Sequence, residues 1–461
     1  MRDAILDLAD IQGNLLRAYA FPFGRYVFLK LTNADGARHC IAKLLPTVTS
    51  AEEWPAQKPL RTLNLAFSMS ALASLKLPEA TLRSFPVEFR EGMASRARAL
   101  GDVGDSAPDN WEPMWKAGVD VLVMINGQTE ADCEMLVAEV TAIAESAGGV
   151  SVLGVQPANV LRIDGKSVAK EHFGYTDGIS QPEFRHSHSE HTPGDGKVGK
   201  HGKWDQLETG DFIIGYSNEA KEIEAYPEPL AFSKNGTFVV YRKLEQNVRK
   251  FRDYLDHWGS KYPGGREKLK AKFMGRWSDG TPLVLSPDKP DPALAADPQL
   301  NNNFSYRSDP AGQRCPLGAH IRRANPRDSL DSSGLLSTRR RIIRRGMPYG
   351  TYVPESQTVD DTARGVVFMA LNANISRQFE FLQQQWINYG NDMHLGEDSD
   401  PVIGNRTDDG RYVIPGDPKK NEETFICSGL STFVTLRGGD YFFLPSLTAL
   451  QMITDNLVDA R

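Results

Sequence analysis

Cysteine is scarce in this chain of 461 residues: positions 40, 133, 315 and 427 are scattered, with no C-x-x-C pair. That spacing excludes a disulfide framework and a cysteine-based zinc site, and predicts free thiols in a reducing compartment. Long apolar runs are missing too, and none approaches the length of a membrane span. The opening MRDAILDLADIQGNLL carries early acids and no uninterrupted apolar core, so it does not read as a secretory signal. Together these features predict a cytoplasmic protein. A surplus of positive charge is also absent: the formal charge is −6 and the pI near 5.9, which argues against a nucleic-acid partner. Composition is otherwise that of a globular protein, 40% hydrophobic and 24% charged, with length for two or three domains.

Against that acidic background one stretch stands out. Cys315 to Gly350 reads CPLGAHIRRANPR and then, after a polar break, RRRIIRRGMPYG. Eight arginines (322, 323, 327, 339, 340, 341, 344 and 345) face only Asp328 and Asp331, and a single histidine, His320, sits among them. Zinc usually needs several His, Cys or carboxylate ligands, so this is a poor zinc site. Haem iron needs one proximal imidazole and its carboxylates need arginine, so the composition suits haem. A solvated basic loop explains the stretch equally well when it is taken alone.

A second stretch, His172 to Pro182, reads HFGYTDGISQP. Gly174 and Gly178 bracket Asp177, which permits a tight turn and a close approach of backbone to a flat ligand. A carboxylate held there is suited to shuttling a proton. An ordinary turn is the competing account of G-x-x-D-G alone.

Taken together, G-x-x-D-G, the later His320 and the arginines beyond it resemble the dye-decolourising peroxidases, a haem peroxidase family. The resemblance extends to DIQGNLL, MGRWSDGTPL, GVVFMAL, QFEFLQQQW and RGGDYFFLPSL, and so covers nearly the whole chain. It implies His320 as the proximal iron ligand, Asp177 as the distal acid and Arg344 as the distal arginine, with Arg341 and Arg345 as the competing registers. It implies Arg327 as a haem-propionate partner, and Gly178, Ile179 and Ser180 beside the cofactor. Glu380 is the candidate carboxylate behind the proximal imidazole, with a surface helix position as the competing account; Val366 and Phe368 are the candidate apolar distal wall, and a plain sheet core explains them equally well. The expected cofactor is one haem b per chain. The expected partners are hydrogen peroxide and an aromatic electron donor such as a dye or phenol, in a monomer or dimer. A haem-handling protein with little turnover is the alternative. Trp386 and Tyr389 are candidate electron relays, although helix packing explains both. His186, His188 and His191 (H-S-H-x-x-H) resemble a metal motif, but Gly and Pro follow at once and favour a solvated loop.

The expected fold class is α+β, with two ferredoxin-like domains, antiparallel sheets flanked by helices, at 1–190 and 205–461. Strands at 26–31, 62–68, 119–125 and 150–156, with helices at 36–45 and beyond Thr129, give the order β-α-β-β-α-β. The second half repeats this more loosely. It shows strands at 212–216, 237–244, 366–371 and 432–436, and helices after Glu245 and around Phe379, Leu382 and Trp386. The resemblance places haem in that second domain.

Overall fold

The computed structural model describes residues 6–54, 57–187, 191–199, 203–224, 226–331, 334–406 and 409–459. In the first half, β1 (Phe23–Leu31), β2 (Arg61–Phe67), β3 (Val121–Gly127) and β4 (Val150–Asn159) form antiparallel pairs in the order β4-β1-β3-β2. Two helices cross them. α1 (Ala34–Leu44) starts where the Asn33 side chain accepts from the N–H of Asp35 and Gly36. α2 (Glu130–Ala147) starts at a capping box between Thr129 and Asp132, and buries Cys133, Leu136, Val140 and Ala144. This is the expected ferredoxin-like order.

In the second half, β5 (Thr237–Gln246) lies between β8 (Gly365–Asn372) and β9 (Val434–Leu444). Two short strands, β6 (Ile343–Arg344) and β7 (Met347–Tyr349), pair one after the other along β8. The helix α3 (Val248–Gly259) is capped by the Asn247 side chain and buries Val248, Phe251 and Leu255. The two halves join at the pair Phe443↔Phe67, giving one nine-stranded sheet, and β7 lies against β4 at its far end. Rings from both halves pack together in one core. Tyr241 meets Tyr26 and Phe28 edge-on and stacks on Trp115.

Two elements differ from expectation. Phe212–Tyr216 is buried but forms no strand; the N–H of Ile214 bonds the carbonyl of Gly236 and that of Gly215 the carbonyl of Glu224. A short buried apolar run carries no period that separates strand from buried loop. The helical stretch 376–387 is wound wider than an α-helix, with the Glu380 N–H bonded five residues back to Ile375.

Candidate active site: a histidine held by a buried carboxylate, and an aspartate–arginine pair

His320 opens a short helix, His320–Ala324, directly after a turn closed by the Ala319 N–H on the Pro316 carbonyl. Two of the arginines anchor that helix from inside. Arg322 donates to the carbonyls of Cys315 and Asp309, and Arg323 to those of Trp386 and Asp398. The imidazole Nδ1–H donates to Asp400 Oδ2 at 3.0 Å. Asp400 is wholly buried, and its other oxygen accepts from the N–H of Val402 (2.8 Å) and Ile403 (2.9 Å). Burial alone would lower the His320 pKa, but the charge and hydrogen bond of Asp400 outweigh it and hold it raised. The same pairing outweighs burial at Asp400 and holds its carboxyl below the usual range. With Nδ1 committed, Nε2 is the nitrogen left for a ligand.

Glu380 is not that carboxylate. Arg96 donates to it at 2.5 and 2.7 Å and the Tyr441 hydroxyl at 2.8 Å, so both its oxygens are taken elsewhere. Asp400 was missed because its only local signal is an Asp-Pro turn dipeptide, which many loops share.

Asp177 and Arg344 come together although 167 residues separate them. Gly174 and Gly178 both adopt left-handed backbone (φ +90° and +87°), which turns the loop so that Asp177 projects from it. Arg344 Nη1 donates to Asp177 Oδ1 at 3.2 Å, and Nη2 to the Ile179 carbonyl at 2.7 Å. The side chains of Asp177, Arg344 and His320 are 46%, 33% and 23% exposed, so each borders open space rather than core. The charges of Arg344 and Asp177 both act on His320, so the pair lies within electrostatic reach of the imidazole. A Cβ on Gly178 would meet nothing within 4 Å, and Ser180 is left-handed as well (φ +68°), so the loop edge there is open. Arg344 sits opposite Ala370 in the β6–β8 pair. Strand alternation therefore puts Phe368 and Val366, both half-buried, on the face that carries Arg344, while Val367 and Met369 enter the core.

The neighbouring arginines point elsewhere. Arg345 donates to the carbonyls of Asn14 and Leu15. Arg341 donates to the Gly196 carbonyl, and its buried Nη2 has no partner. Burial pushes the Arg341 guanidinium down to about 10, a cation without enough anion beside it. Arg327, left-handed at φ +53°, spends its terminal nitrogens on Asn302 and the Phe304 carbonyl and stacks on Phe304. Both line a small cavity with Ser337, Thr338 and Trp204.

Trp386 is buried and bonds Asp392, whereas Tyr389 is 40% exposed. His191 pairs with buried Glu183, His186 stands in a turn, and His188 lies outside the described residues. Among the described residues no group of three or more His, Cys, Asp or Glu side chains converges as a metal site, and no helix is long and apolar enough to cross a membrane. A single oriented imidazole plus a buried guanidinium nitrogen lacking an anion is the donor set that an iron porphyrin with carboxylate arms requires. The residues present fit haem.

Comparison with known proteins bears directly on this arrangement. Residues 10–156 match the family described as DyP dimeric alpha+beta barrel domain, and residues 215–404 match Dyp-type peroxidase, C-terminal. Peroxidase 2 of Mycetinis scorodonius is 31% identical, over 97% of this chain and 87% of its own length. The multifunctional dye peroxidase DyP2 of an Amycolatopsis species is 30% identical, over 98% and 97%. The structure of an ancestral D-type dye-decolorizing peroxidase superposes with a TM-score of 0.83 at 31% identity, covering 97% of this chain and 99% of that one. The chain belongs to the dye-decolorizing peroxidase family, and is a peroxidase of the kind that carries haem.

Proposed function

We propose that the protein binds one haem b per chain through His320 and uses hydrogen peroxide to oxidise phenols and aromatic dyes, with Asp177 and Arg344 performing the chemistry on peroxide. The observation that carries this reading is the hydrogen bond from Arg344 to Asp177, a pair whose charges both reach His320. Relatives named dye-decolorizing peroxidases, and a related structure in complex with 2,6-dimethoxyphenol, support the donor class. Four buried, unpaired thiols support a reducing, cytoplasmic location.

When bound, haem supplies the redox centre that takes electrons from the donor and delivers them to peroxide. The protein supplies the rest. The Asp177 carboxylate takes the proton from one peroxide oxygen and returns it to the other, so that water leaves. The Arg344 guanidinium stabilises the negative charge that grows on the departing oxygen. Val366 and Phe368 keep that face apolar, which strengthens both interactions. Asp400 holds the proton on Nδ1 of His320 and so reserves Nε2 for iron.

Asp177→Asn tests this directly. The variant should keep haem but lose peroxide-dependent oxidation of 2,6-dimethoxyphenol by on the order of 10²- to 10⁴-fold. Wild-type turnover in that variant would refute the role of Asp177. A wild-type protein that holds haem yet oxidises no donor would favour the haem-handling alternative. His320→Ala should lose haem, measured as the Soret-to-protein absorbance ratio; unchanged occupancy and ferric spectrum would refute the ligand assignment.

A further inference from the structure

Six residues before Asp177 lies Glu171, a carboxylate only 9% exposed. Its hydrogen-bond partners are neutral: Oε2 accepts from the Phe173 N–H (2.8 Å) and from Gln246 Nε2 (2.5 Å), and Oε1 from the Tyr175 N–H (2.8 Å). Burial pushes the carboxyl up, and those three bonds act against that. The backbone of the same stretch closes on itself, since the Gly174 N–H bonds the Glu171 carbonyl and the Glu171 N–H the Tyr175 carbonyl. Residues 171–175 therefore wrap around one buried carboxylate, with Gly174 making the reversal. The arm that carries Asp177 leaves straight from this wrap. Lys170 bridges to Thr176, and the Asp177 N–H bonds the Ala169 carbonyl at 2.9 Å.

The wrap is also fastened to the sheet that carries the opposing residue. Gln246 ends β5, and His172, the residue after Glu171, bonds the carbonyl of Tyr349 at 2.8 Å, at the end of β7, which follows β6 and its Arg344 along β8. An ordinary turn is satisfied by Gly, Asn or Ser and needs no buried carboxylate. Burying one among neutral donors is unfavourable unless every acceptor site is used, and its use here defines a single backbone path.

We propose that Glu171 is the positioning residue that sets Asp177 against Arg344. The inference rests on the role given to Asp177 above. In Glu171→Gln only one side-chain oxygen remains to accept; the amide N–H₂ must face either the Tyr175 N–H or the Phe173 and Gln246 donors. The wrap loosens and Asp177 moves away from its working position.

The test is a double-mutant cycle on the haem-loaded enzyme. Glu171→Gln should slow the reaction with peroxide roughly a hundredfold, the scale of an ångström-sized misplacement of a reacting group. The kcat/KM for 2,6-dimethoxyphenol and the haem occupancy should stay as in wild type. Amide hydrogen exchange should quicken in a peptide spanning 169–178 and stay unchanged in the rest of the chain. In the Asp177→Asn background the same substitution should cost nothing further, because the group it positions is gone. Gln246→Met removes one donor and leaves the carboxylate; it should show a smaller loss with the same dependence on Asp177, and carries the test if Glu171→Gln does not fold. An unchanged peroxide rate in both variants, or an equal loss with and without Asp177, overturns the proposal. If Asp177→Asn itself reacts at the wild-type rate, the reading of Asp177 fails and this inference with it. A slow Asp177→Asn beside a normal Glu171→Gln refutes the positioning role alone.

Discussion

Asp400→Asn is the sharpest perturbation of the proximal side, because the amide keeps the shape of the carboxylate and removes its charge. Asp400 uses both oxygens, one for His320 Nδ1–H and one for the N–H of Val402 and Ile403. The asparagine cannot serve both. With its amide N–H₂ towards His320, it forces the imidazole proton onto Nε2, the nitrogen needed by a metal. With the N–H₂ towards Val402 and Ile403, donors face donors. A charge-assisted hydrogen bond is worth about 1.5–3 kcal/mol, which corresponds to roughly 10- to 150-fold in an equilibrium constant. That agrees with the roughly 10- to 100-fold effect of groups behind a metal-ligating histidine. The rate of haem transfer to excess apomyoglobin should rise by about that factor. The ferric/ferrous midpoint potential should move up, because the imidazole loses anionic character. Glu380→Gln is the control: its carboxylate lies on Arg96 and Tyr441, so neither quantity should change. An Asp400→Asn protein that holds haem at the wild-type potential, or a Glu380→Gln protein that reproduces its shift, would refute the assignment.

Two other perturbations separate neighbouring groups. Arg344→Leu should keep haem and slow the reaction with peroxide by on the order of a hundredfold. Arg345→Leu should instead lower the Tm, since that guanidinium ties Asn14 and Leu15 to the strand; if it carries the catalytic loss, the register in the arginine run is wrong. Asp211, buried and with one oxygen lacking a hydrogen bond, is pushed up to about 6 by desolvation. The folded state then keeps a proton that the unfolded chain has already lost, so wild-type stability falls as pH rises from about 4 to about 6, by at most ~3 kcal/mol. Asp211→Asn removes that slope. Its Tm relative to wild type should climb between pH 4 and 6 and then level off; a flat difference would show that Asp211 ionises freely in the fold.

Much of this site is legible in the sequence. The G-x-x-D-G loop and the His320 stretch are local patterns; taken singly, a turn and a basic loop explain them, and their roles follow from their joint resemblance to the family. The alternation at Val366 and Phe368 and the cap at Thr129 are equally local, and the strands and helices of the first half follow from periodicity within single segments. Arg344 was separable from Arg341 and Arg345 by resemblance alone. In the structure the separation has a plain cause, because successive strand residues point to opposite faces and only Arg344 turns towards Asp177.

Other features needed the tertiary structure. The carboxylate behind His320 lies 80 residues downstream in a loop, and nothing in its neighbours distinguishes Asp400 from Glu380 on a helix. Phe212–Tyr216 is as apolar as a strand, yet its N–H groups bond to Thr209, Gly236 and Glu224 and no ladder forms. The sheet that joins the two halves turns on a single pair, Phe443↔Phe67. Local chemistry is written in neighbouring residues, so the sequence by itself, through the motifs it shares with the family, named the candidates to bind iron or move a proton. Which of them meet depends on how buried donors and acceptors separated by tens to hundreds of residues find partners, and only the folded chain decides that.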